Sequence, residues 1–222
     1  MIEAVIFDMD GVLIDSVASV YRVKTKILHD DYDIDITSVP DPHNEAHKGG
    51  SIATLIKAVY EYNGAQIDEN ELTDKIVANV YDDLKENNVT ADPVLLDFLN
   101  DLKEHTIPVA VATSASRIST DNKLRLLGLS DFFDEIITTD DVKDHKPHPE
   151  SYLAAIQRLG VSAPKCIVFE DSVAGIQAGN AAGATVIGIT KYNTDKTLLA
   201  NTALTIDDWK DISFSLLESL VV

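Results

Sequence analysis

After residue 91 the sequence alternates short apolar runs with amphipathic segments, and this regular order constrains the fold more than any other feature. We expect strands at 108–112, 135–138, 165–169 and 185–189, and helices at 93–104, 116–127, 150–159, 172–182 and 212–220. One further apolar run, residues 4–7, stops at a turn signal and is expected to be the first strand. Alternating strands and helices with uniformly apolar strands indicate a parallel sheet that is covered on both faces.

Residues 15–90 follow a different pattern, in which charged, helix-like segments carry almost no strand signal. Apolar residues recur there at three- and four-residue spacing, which indicates helices at 17–29, 51–62 and 69–86. We therefore expect an α/β protein with two domains. A doubly wound, Rossmann-like parallel-sheet core would contain residues 1–14 and 91–222, and a small all-helical cap domain would contain residues 15–90.

Composition argues against several classes of function. The chain has 222 residues and a formal net charge of −19, and it lacks the clustered cations that binding to nucleic acid or anionic membranes requires. Its apolar runs are too short to span a bilayer, and its first residues lack the basic flank of a signal peptide. The single cysteine, Cys166, fits a reducing compartment. We expect a cytoplasmic protein, a monomer or weak dimer, without a nucleic-acid or membrane partner.

Polar residues follow the predicted strands at the points where those strands end. In an open α/β sheet, ligands bind beyond the carboxyl ends of the strands. The polar residues expected there are Asp8, Asp10, Thr113, Ser114, Lys146, Glu170 and Asp171. Four converging carboxylates repel each other and do not stay ionised together without a cation. Mg²⁺ fits this site, because it prefers oxygen ligands and also bridges to phosphate oxygens.

Taken singly, each of these motifs has an ordinary structural explanation. An Asp-x-Asp-Gly sequence serves turns, and the pair Thr113-Ser114 serves as a helix N-cap. Lys146 alone fits a solvated side chain, and Glu170-Asp171 favours the start of the next helix. The joint occurrence is more specific, because every polar element follows an apolar strand in one array of strands and helices.

Four segments resemble the signatures of the haloacid dehalogenase superfamily. Residues 5–16 (VIFDMDGVLIDS) resemble the first signature, 109–116 the second, 146–149 the third and 168–176 the fourth. The pattern is most similar to β-phosphoglucomutase-like and sugar-phosphate phosphatase members. The resemblance covers the predicted core, and the helical insertion lies where this family has its small cap. It implies a Mg²⁺-dependent phosphatase that acts on a small phosphorylated metabolite.

The resemblance also implies roles for the acidic residues. Asp8 would be the nucleophile that forms an aspartyl-phosphate, and Asp10 would be the general acid and then the general base. Asp8, the backbone carbonyl of Asp10, and Asp171 would bind Mg²⁺, with Glu170 bound directly or through water. Thr113 or Ser114 would donate hydrogen bonds to the phosphoryl group, and Lys146 would neutralise its charge in the transition state.

The predicted loop at 40–51 contains the densest local group of potential cations in this acidic chain. We expect substrate contacts at His47, Lys48 and Gly49, because glycines before a helix can present backbone N–H groups to an anion. An ordinary loop is the alternative. A metal site at His43 and His47 is disfavoured, because no third ligand follows at a suitable spacing.

Several alternative functions share part of this pattern. A response-regulator receiver carries its phospho-accepting aspartate on an internal strand, and a metal-free dehalogenase does not need the Asp8/Asp10 pair. A non-catalytic protein that binds phosphate ligands would not need the full set of groups. A β-phosphoglucomutase-like phosphotransferase is the remaining alternative. That pattern has a cap histidine and a cap arginine, whereas the corresponding segments 16–21 and 48–53 contain neither residue.

Overall fold

A computed structural model describes residues 1–40, 52–192 and 199–221. Contacts divide the chain into two compact units. The first unit combines Met1–Asp15 with Thr90–Val222, and the second is Ser16–Val89. The first unit is therefore discontinuous in sequence, and the second is one continuous segment.

Among the described residues of the first unit, six strands form a parallel sheet. The strands are β1 (Ala4–Phe7), β2 (Val109–Ala112), β3 (Glu135–Ile137), β4 (Cys166–Glu170), β5 (Thr185–Ile189) and β6 (Leu204–Ile206). Their order is β3-β2-β1-β4-β5-β6, and every neighbouring pair is parallel. β1 thus lies between β2 and β4, where the direction of winding reverses. Sheets of this kind bind ligands at the carboxyl ends of the strands around that point.

The helices of the described residues agree with the predicted helices to within a few residues at each end. They are α1 (Val17–Tyr32), α2 (Ile52–Asn63), α3 (Glu69–Glu86), α4 (Pro93–Glu104), α5 (Arg117–Leu127), α6 (Glu150–Leu159), α7 (Val173–Ala181) and α8 (Phe214–Leu220). Side-chain N-caps define the first residues of α4, α5 and α7. The capping residues are Asp92, Ser116 and Ser172, each of which accepts a backbone N–H bond.

The sheet has one strand more than the sequence predicts, because residues 185–189, the last strand expected along the chain, are followed by β6. β6 continues the sheet beyond β5, with Ile187 opposite Leu204 and Ile189 opposite Ile206. A three-residue strand is too short to show an alternating pattern. It forms because β5 offers it an unpaired edge.

Alternate residues of the strands pack against opposite layers of the first unit. One face of the sheet packs against α6 and α7. The buried cluster on that face includes Ile6, Ala110, Val168, Tyr152 and Ile176.

The opposite face of the sheet is aromatic. Phe7 on β1 and Phe169 on β4 are stacked, with ring centroids 5.3 Å apart. Phe98 of α4 and Trp209 close this cluster against the two stacked rings. The sheet is thus buried on both faces, and the predicted doubly wound α/β core is confirmed.

The second unit is helical in its described residues. α3 contacts both α1 and α2, and a short 3₁₀ helix at Ile36–Ser38 follows α1. The inward residues of α3 recur at helical spacing, and they are Leu72, Ile76, Val80 and Leu84. In neither unit does a described helix combine the length and the apolar character that crossing a membrane requires.

Candidate active site

The carboxyl end of β1 carries Asp8 and then a tight turn. Asp8 is 8% exposed, and its backbone N–H donates to the carbonyl of Phe169 on β4. The chain turns at Gly11, whose φ is +86°, and a side chain there would overlap the carboxylate of Asp171. Glycine is the residue that meets both conditions. The turn after β1 is therefore packed against the residues that follow β4.

Lys146 joins the acidic groups at the ends of β1 and β4. Its ammonium lies 2.7 Å from both Asp8 Oδ1 and Glu170 Oε1, and 2.9 Å from the Ala112 carbonyl and the Tyr152 hydroxyl. Its side chain is only 5% exposed. Burial opposes the charge, but the carboxylates of Asp8 and Glu170 keep the pKa of Lys146 above its ordinary value. Lys146 is therefore a fixed cation.

Glu170 is completely buried, and both of its carboxylate oxygens accept hydrogen bonds. Oε1 accepts from Lys146 at 2.7 Å and from the Tyr152 hydroxyl at 2.6 Å. Oε2 accepts from the backbone N–H groups of Asp171 and Ser172 and from the Ser172 hydroxyl. Burial acts to raise the pKa of Glu170, but the Lys146 ammonium and these hydrogen bonds keep it below its ordinary value. Glu170 thus holds the Lys146 ammonium in a fixed position.

Asp171 has a different environment. It is 7% exposed, and among the described residues no hydrogen-bond donor contacts its carboxylate. Burial, and then the charges of Asp8 and Glu170, raise the pKa of Asp171 to about 8. One oxygen from each of Asp8, Glu170 and Asp171 lies within 4.8 Å of the other two. A hard cation can accept oxygens grouped in this way.

The charges of this site do not balance within the protein. Burial also raises the pKa of Asp8, to about 7, although Lys146 opposes the shift. Two ammonium groups face four carboxylates, and these residues are Lys123, Lys146, Asp8, Asp10, Glu170 and Asp171. When all four carboxylates are ionised, the two surplus negative charges match one divalent cation. The cation would also supply a partner for Asp171, to which no described residue donates a hydrogen bond. The donor set therefore fits a divalent metal ion.

The two hydroxyl residues after β2 have different surroundings. Thr113 is 3% exposed, and its Oγ1 accepts the backbone N–H of Ala115 at 3.1 Å. Ser114 is exposed. Thr113 thus shapes the turn between β2 and α5, whereas Ser114 lies at the surface.

Two residues of the site were not predicted from the sequence. Lys123 on α5 donates to Oδ1 and Oδ2 of Asp10, at 2.6 Å and 2.8 Å. Tyr152 on α6 links Glu170 to Lys146. Lys123 lies on the buried face of an amphipathic helix, where apolar residues are expected. A charged residue at such a position is the signal that could have identified it. Tyr152 carries no such signal, because a tyrosine is ordinary in a core.

The structure thus brings together the predicted residues at the ends of β1 and β4, with Lys146 between them. The predicted cap residues His47, Lys48 and Gly49, and also His43, lie outside the described residues.

Comparisons with known proteins agree with this fold. A family model for haloacid dehalogenase-like hydrolases matches residues 5–189. The fructose-1-phosphate phosphatase YqaB of Escherichia coli is 31% identical over 193 residues, which cover 83% of this chain and 94% of the relative. The phosphorylated carbohydrates phosphatase of Thermotoga maritima is 32% identical over 193 residues, which cover 82% of each protein.

A solved structure has the same fold over nearly the whole chain. It is a beta-phosphoglucomutase from Clostridium difficile, which is 29% identical and has a TM-score of 0.76. The alignment covers 99% of this chain and 97% of that one. These matches confirm the resemblance found in the four sequence segments and exclude the response-regulator alternative. The chain belongs to the haloacid dehalogenase-like hydrolase family.

Proposed function

We propose that this protein is a Mg²⁺-dependent phosphatase that hydrolyses small phosphomonoesters, in particular sugar phosphates, through an aspartyl-phosphate on Asp8. The proposal rests on the hydrogen bonding of the Asp8 carboxylate. Oδ1 is held by Lys146 at 2.7 Å, whereas among the described residues no donor contacts Oδ2. One oxygen of this carboxylate is held by a hydrogen bond, and the other receives none from the described residues. Such a carboxylate is suited to attack phosphorus through the second oxygen.

The first half-reaction transfers the phosphoryl group to the protein. Asp8 Oδ2 forms a bond to phosphorus while the bond from phosphorus to the ester oxygen breaks. Asp10 gives a proton to that leaving oxygen. The Lys146 ammonium and the hydroxyl of Ser114 or Thr113 stabilise negative charge on the phosphoryl oxygens.

The second half-reaction returns the protein to its starting state. Water attacks the phosphorus of the aspartyl-phosphate, and Asp10 accepts the proton that the water loses. The bond between Asp8 and phosphorus breaks, and inorganic phosphate leaves. Asp10 thus serves as acid in one half-reaction and as base in the other.

The metal would be held by the carboxylates of Asp8 and Asp171 and by the backbone carbonyl of Asp10. Glu170 adds negative charge nearby, while its own oxygens stay hydrogen-bonded to the protein. When bound, Mg²⁺ offsets repulsion among the carboxylates and polarises the phosphoryl oxygens.

The proposed substrate class is supported by two relatives, and the proposed domain roles go with it. We assign residues 1–14 and 91–222 to catalysis, and residues 15–90 to a cap that selects the substrate, with contacts at His47, Lys48 and Gly49. The two phosphatase relatives described above are named for phosphorylated sugars or carbohydrates. We further propose that the protein works in the cytoplasm as a monomer or weak dimer.

A screen of phosphate esters tests this function. The purified protein is incubated with fructose 1-phosphate, glucose 6-phosphate and 4-nitrophenyl phosphate, and released phosphate is measured. We expect turnover with Mg²⁺, none after exhaustive chelation, and restoration when Mg²⁺ is added back. Ca²⁺ should inhibit, because it favours more ligands and a looser geometry. Full activity without a divalent cation would refute the metal assignment.

A sugar-phosphate mutase is the second candidate, because the solved beta-phosphoglucomutase shares the fold across the whole chain. A mutase must hold a second phosphate, and segments 16–21 and 48–53 provide no arginine for this purpose. We therefore expect water to intercept the phosphorylated enzyme. The protein is given β-glucose 1-phosphate, Mg²⁺ and a trace of the bisphosphate, and both products are measured. Isomerisation to glucose 6-phosphate with negligible phosphate release would establish the mutase instead.

A further inference from the structure

Lys123 is a buried cation on the inward face of α5. The buried residues of this helix are Thr120, Lys123, Leu124 and Leu127. This spacing is typical of a helix face that packs on a core. Burying an ammonium is unfavourable unless a partner compensates for the lost water. Lys123 therefore requires a specific interaction to occupy this position.

Asp10 provides that interaction. The Lys123 ammonium contacts both carboxylate oxygens of Asp10, at 2.6 Å and 2.8 Å. A single cation bound to both oxygens opposes rotation of the carboxylate about its Cβ–Cγ bond. The residues are more than a hundred positions apart in sequence, so the contact results from the fold and is not a local helix pair.

The two partners differ in their access to solvent. The side chain of Lys123 is 8% exposed, whereas that of Asp10 is 35% exposed. The ammonium of the pair is thus buried, and the Asp10 side chain is partly accessible to solvent. A leaving oxygen would approach this accessible part of Asp10.

We infer, on the basis of the proposed function, that Lys123 is a positioning residue for the proton transfer by Asp10. As Asp8 bonds to phosphorus and the ester bond breaks, a proton moves from Asp10 to the leaving oxygen. This transfer requires the Asp10 carboxyl oxygen that donates the proton to lie about 2.6–3.2 Å from the leaving oxygen. Lys123 keeps the Asp10 carboxylate in place for it. Each of the two aspartates of the first turn thus has its own buried lysine, Lys146 for Asp8 and Lys123 for Asp10.

Leaving-group dependence distinguishes this role from a general structural one. The kcat/KM values of Lys123→Met are measured for an alkyl phosphate, such as glycerol 3-phosphate or a sugar phosphate that the protein turns over, and for 4-nitrophenyl phosphate. An alkoxide needs a proton in order to leave, whereas 4-nitrophenolate does not. We expect kcat/KM to fall about 100-fold for the alkyl phosphate. For 4-nitrophenyl phosphate we expect a change of less than about fivefold.

Three further variants serve as references. Lys123→Arg should largely restore the alkyl phosphate activity, because it keeps a cation with two donors facing Asp10. Arg125→Met removes an exposed cation from the same helix and should leave both activities unchanged. Asp10→Asn should show the same selective loss as Lys123→Met, but a larger one.

The outcomes separate this inference from the proposed function. Equal losses for both esters in a folded Lys123→Met variant, or no loss, would overturn the role of Lys123. Equal losses in Asp10→Asn would instead overturn the proposed role of Asp10. Thermal unfolding of Lys123→Met, Asp10→Asn and the double variant tests the contact without any activity. Non-additive shifts in Tm are expected, and additive shifts would show that the pair does not form.

Discussion

Asp8 and Asp171 lie in one buried cluster, but within the described chain only Asp8 has a protein cation beside its carboxylate. Lys146 fixes Asp8 Oδ1, and Glu170 fixes Lys146. Asp171 receives no hydrogen bond from the described residues, and burial raises its pKa to about 8. The two aspartates are therefore suited to different tasks. Asp8 is oriented for attack, and Asp171 needs a cation from outside the protein.

Asp8→Asn should abolish turnover without unfolding the protein. The substitution removes the nucleophilic oxygen but keeps the shape of the side chain. Loss of a covalent nucleophile costs about 10⁴-fold or more in kcat. Steady-state phosphate release measures this loss, and Asp97→Asn, at an exposed position, serves as the control. Hydrolysis by Asp8→Asn near the parent rate would show that Asp8 is only a ligand or a turn residue.

Tyr152→Phe should destabilise the protein and weaken catalysis. It removes the hydroxyl that donates to Glu170 at 2.6 Å and accepts from Lys146 at 2.9 Å, while the ring remains. Loss of a buried hydrogen bond to a charged group should lower the free energy of unfolding by about 1–3 kcal/mol. Denaturant titration measures this change, with the exposed Tyr60→Phe as the control. Equal stability of the two variants would contradict the role given to Tyr152.

The sequence predicted the strand-end residues of the site but missed those that come from the helices. Asp8, Glu170 and Asp171 directly follow apolar runs, and the geometry of a parallel sheet brings such positions together. Lys123 and Tyr152 reach the site from α5 and α6, where the periodicity shows which face is buried but not what each side chain contacts. Their partners depend on how the helices pack on the sheet, and periodicity alone does not reveal that packing.

At the level of elements, strands that contain adjacent apolar residues were predicted, and the strand without them was missed. Five strands were located to within one residue at each end, because each contains at least two adjacent apolar residues, such as Ile136 and Ile137 in the three-residue β3. β6 was missed, since pairing with β5 and not its own pattern makes it a strand. The helix ends are determined by side-chain caps such as Ser116 and Ser172, which sequence reasoning can identify.

A 3₁₀ helix at Thr139–Asp141 follows β3 and gives a prediction about stability and pH. Burial acts to raise the pKa of Asp141, but hydrogen bonds from Thr138 and the guanidinium groups of Arg158 and Arg117 hold it well below its ordinary value. A folded-state pKa below the unfolded one stabilises the protein above about pH 4, and this contribution is lost as pH falls further. Asp141→Asn should therefore cost about 1–3 kcal/mol at pH 7 and less at pH 3.

Denaturant titrations at both pH values check this difference. Asp121→Asn is the control, because the ion pair of Asp121 with Arg117 is long, at 4.0 Å, and the Asp121 side chain is 47% exposed. It should change stability by less than about 0.5 kcal/mol at either pH. A cost for Asp141→Asn that stays the same at pH 3 would contradict the electrostatic explanation.

For the whole molecule, metal binding should appear as a change in thermal stability. Mg²⁺ that binds only the folded state raises stability by about 2.7 kcal/mol at 100 times its Kd. Asp171→Asn should abolish this rise in Tm. Without metal, the same variant should be more stable than the parent at pH 7. The folded protein disfavours ionisation of Asp171, whose pKa is raised to about 8, whereas the unfolded chain ionises it freely, and asparagine avoids this cost. Thermal scans with and without Mg²⁺ test both statements, and an unchanged Mg²⁺ shift in Asp171→Asn would exclude Asp171 as a ligand.

The central position of β1 has a consequence for synthesis on the ribosome. β1 is translated before all the other strands, yet its two neighbours in the sheet are β2 and β4. At about 5–20 residues per second, a nascent chain carries this apolar strand unpaired for on the order of ten seconds. Ser16–Val89 is contiguous and can collapse during that interval. We therefore expect the nascent chain to present a collapsed helical segment preceded by an unpaired apolar strand, a combination that chaperones near the exit tunnel can bind.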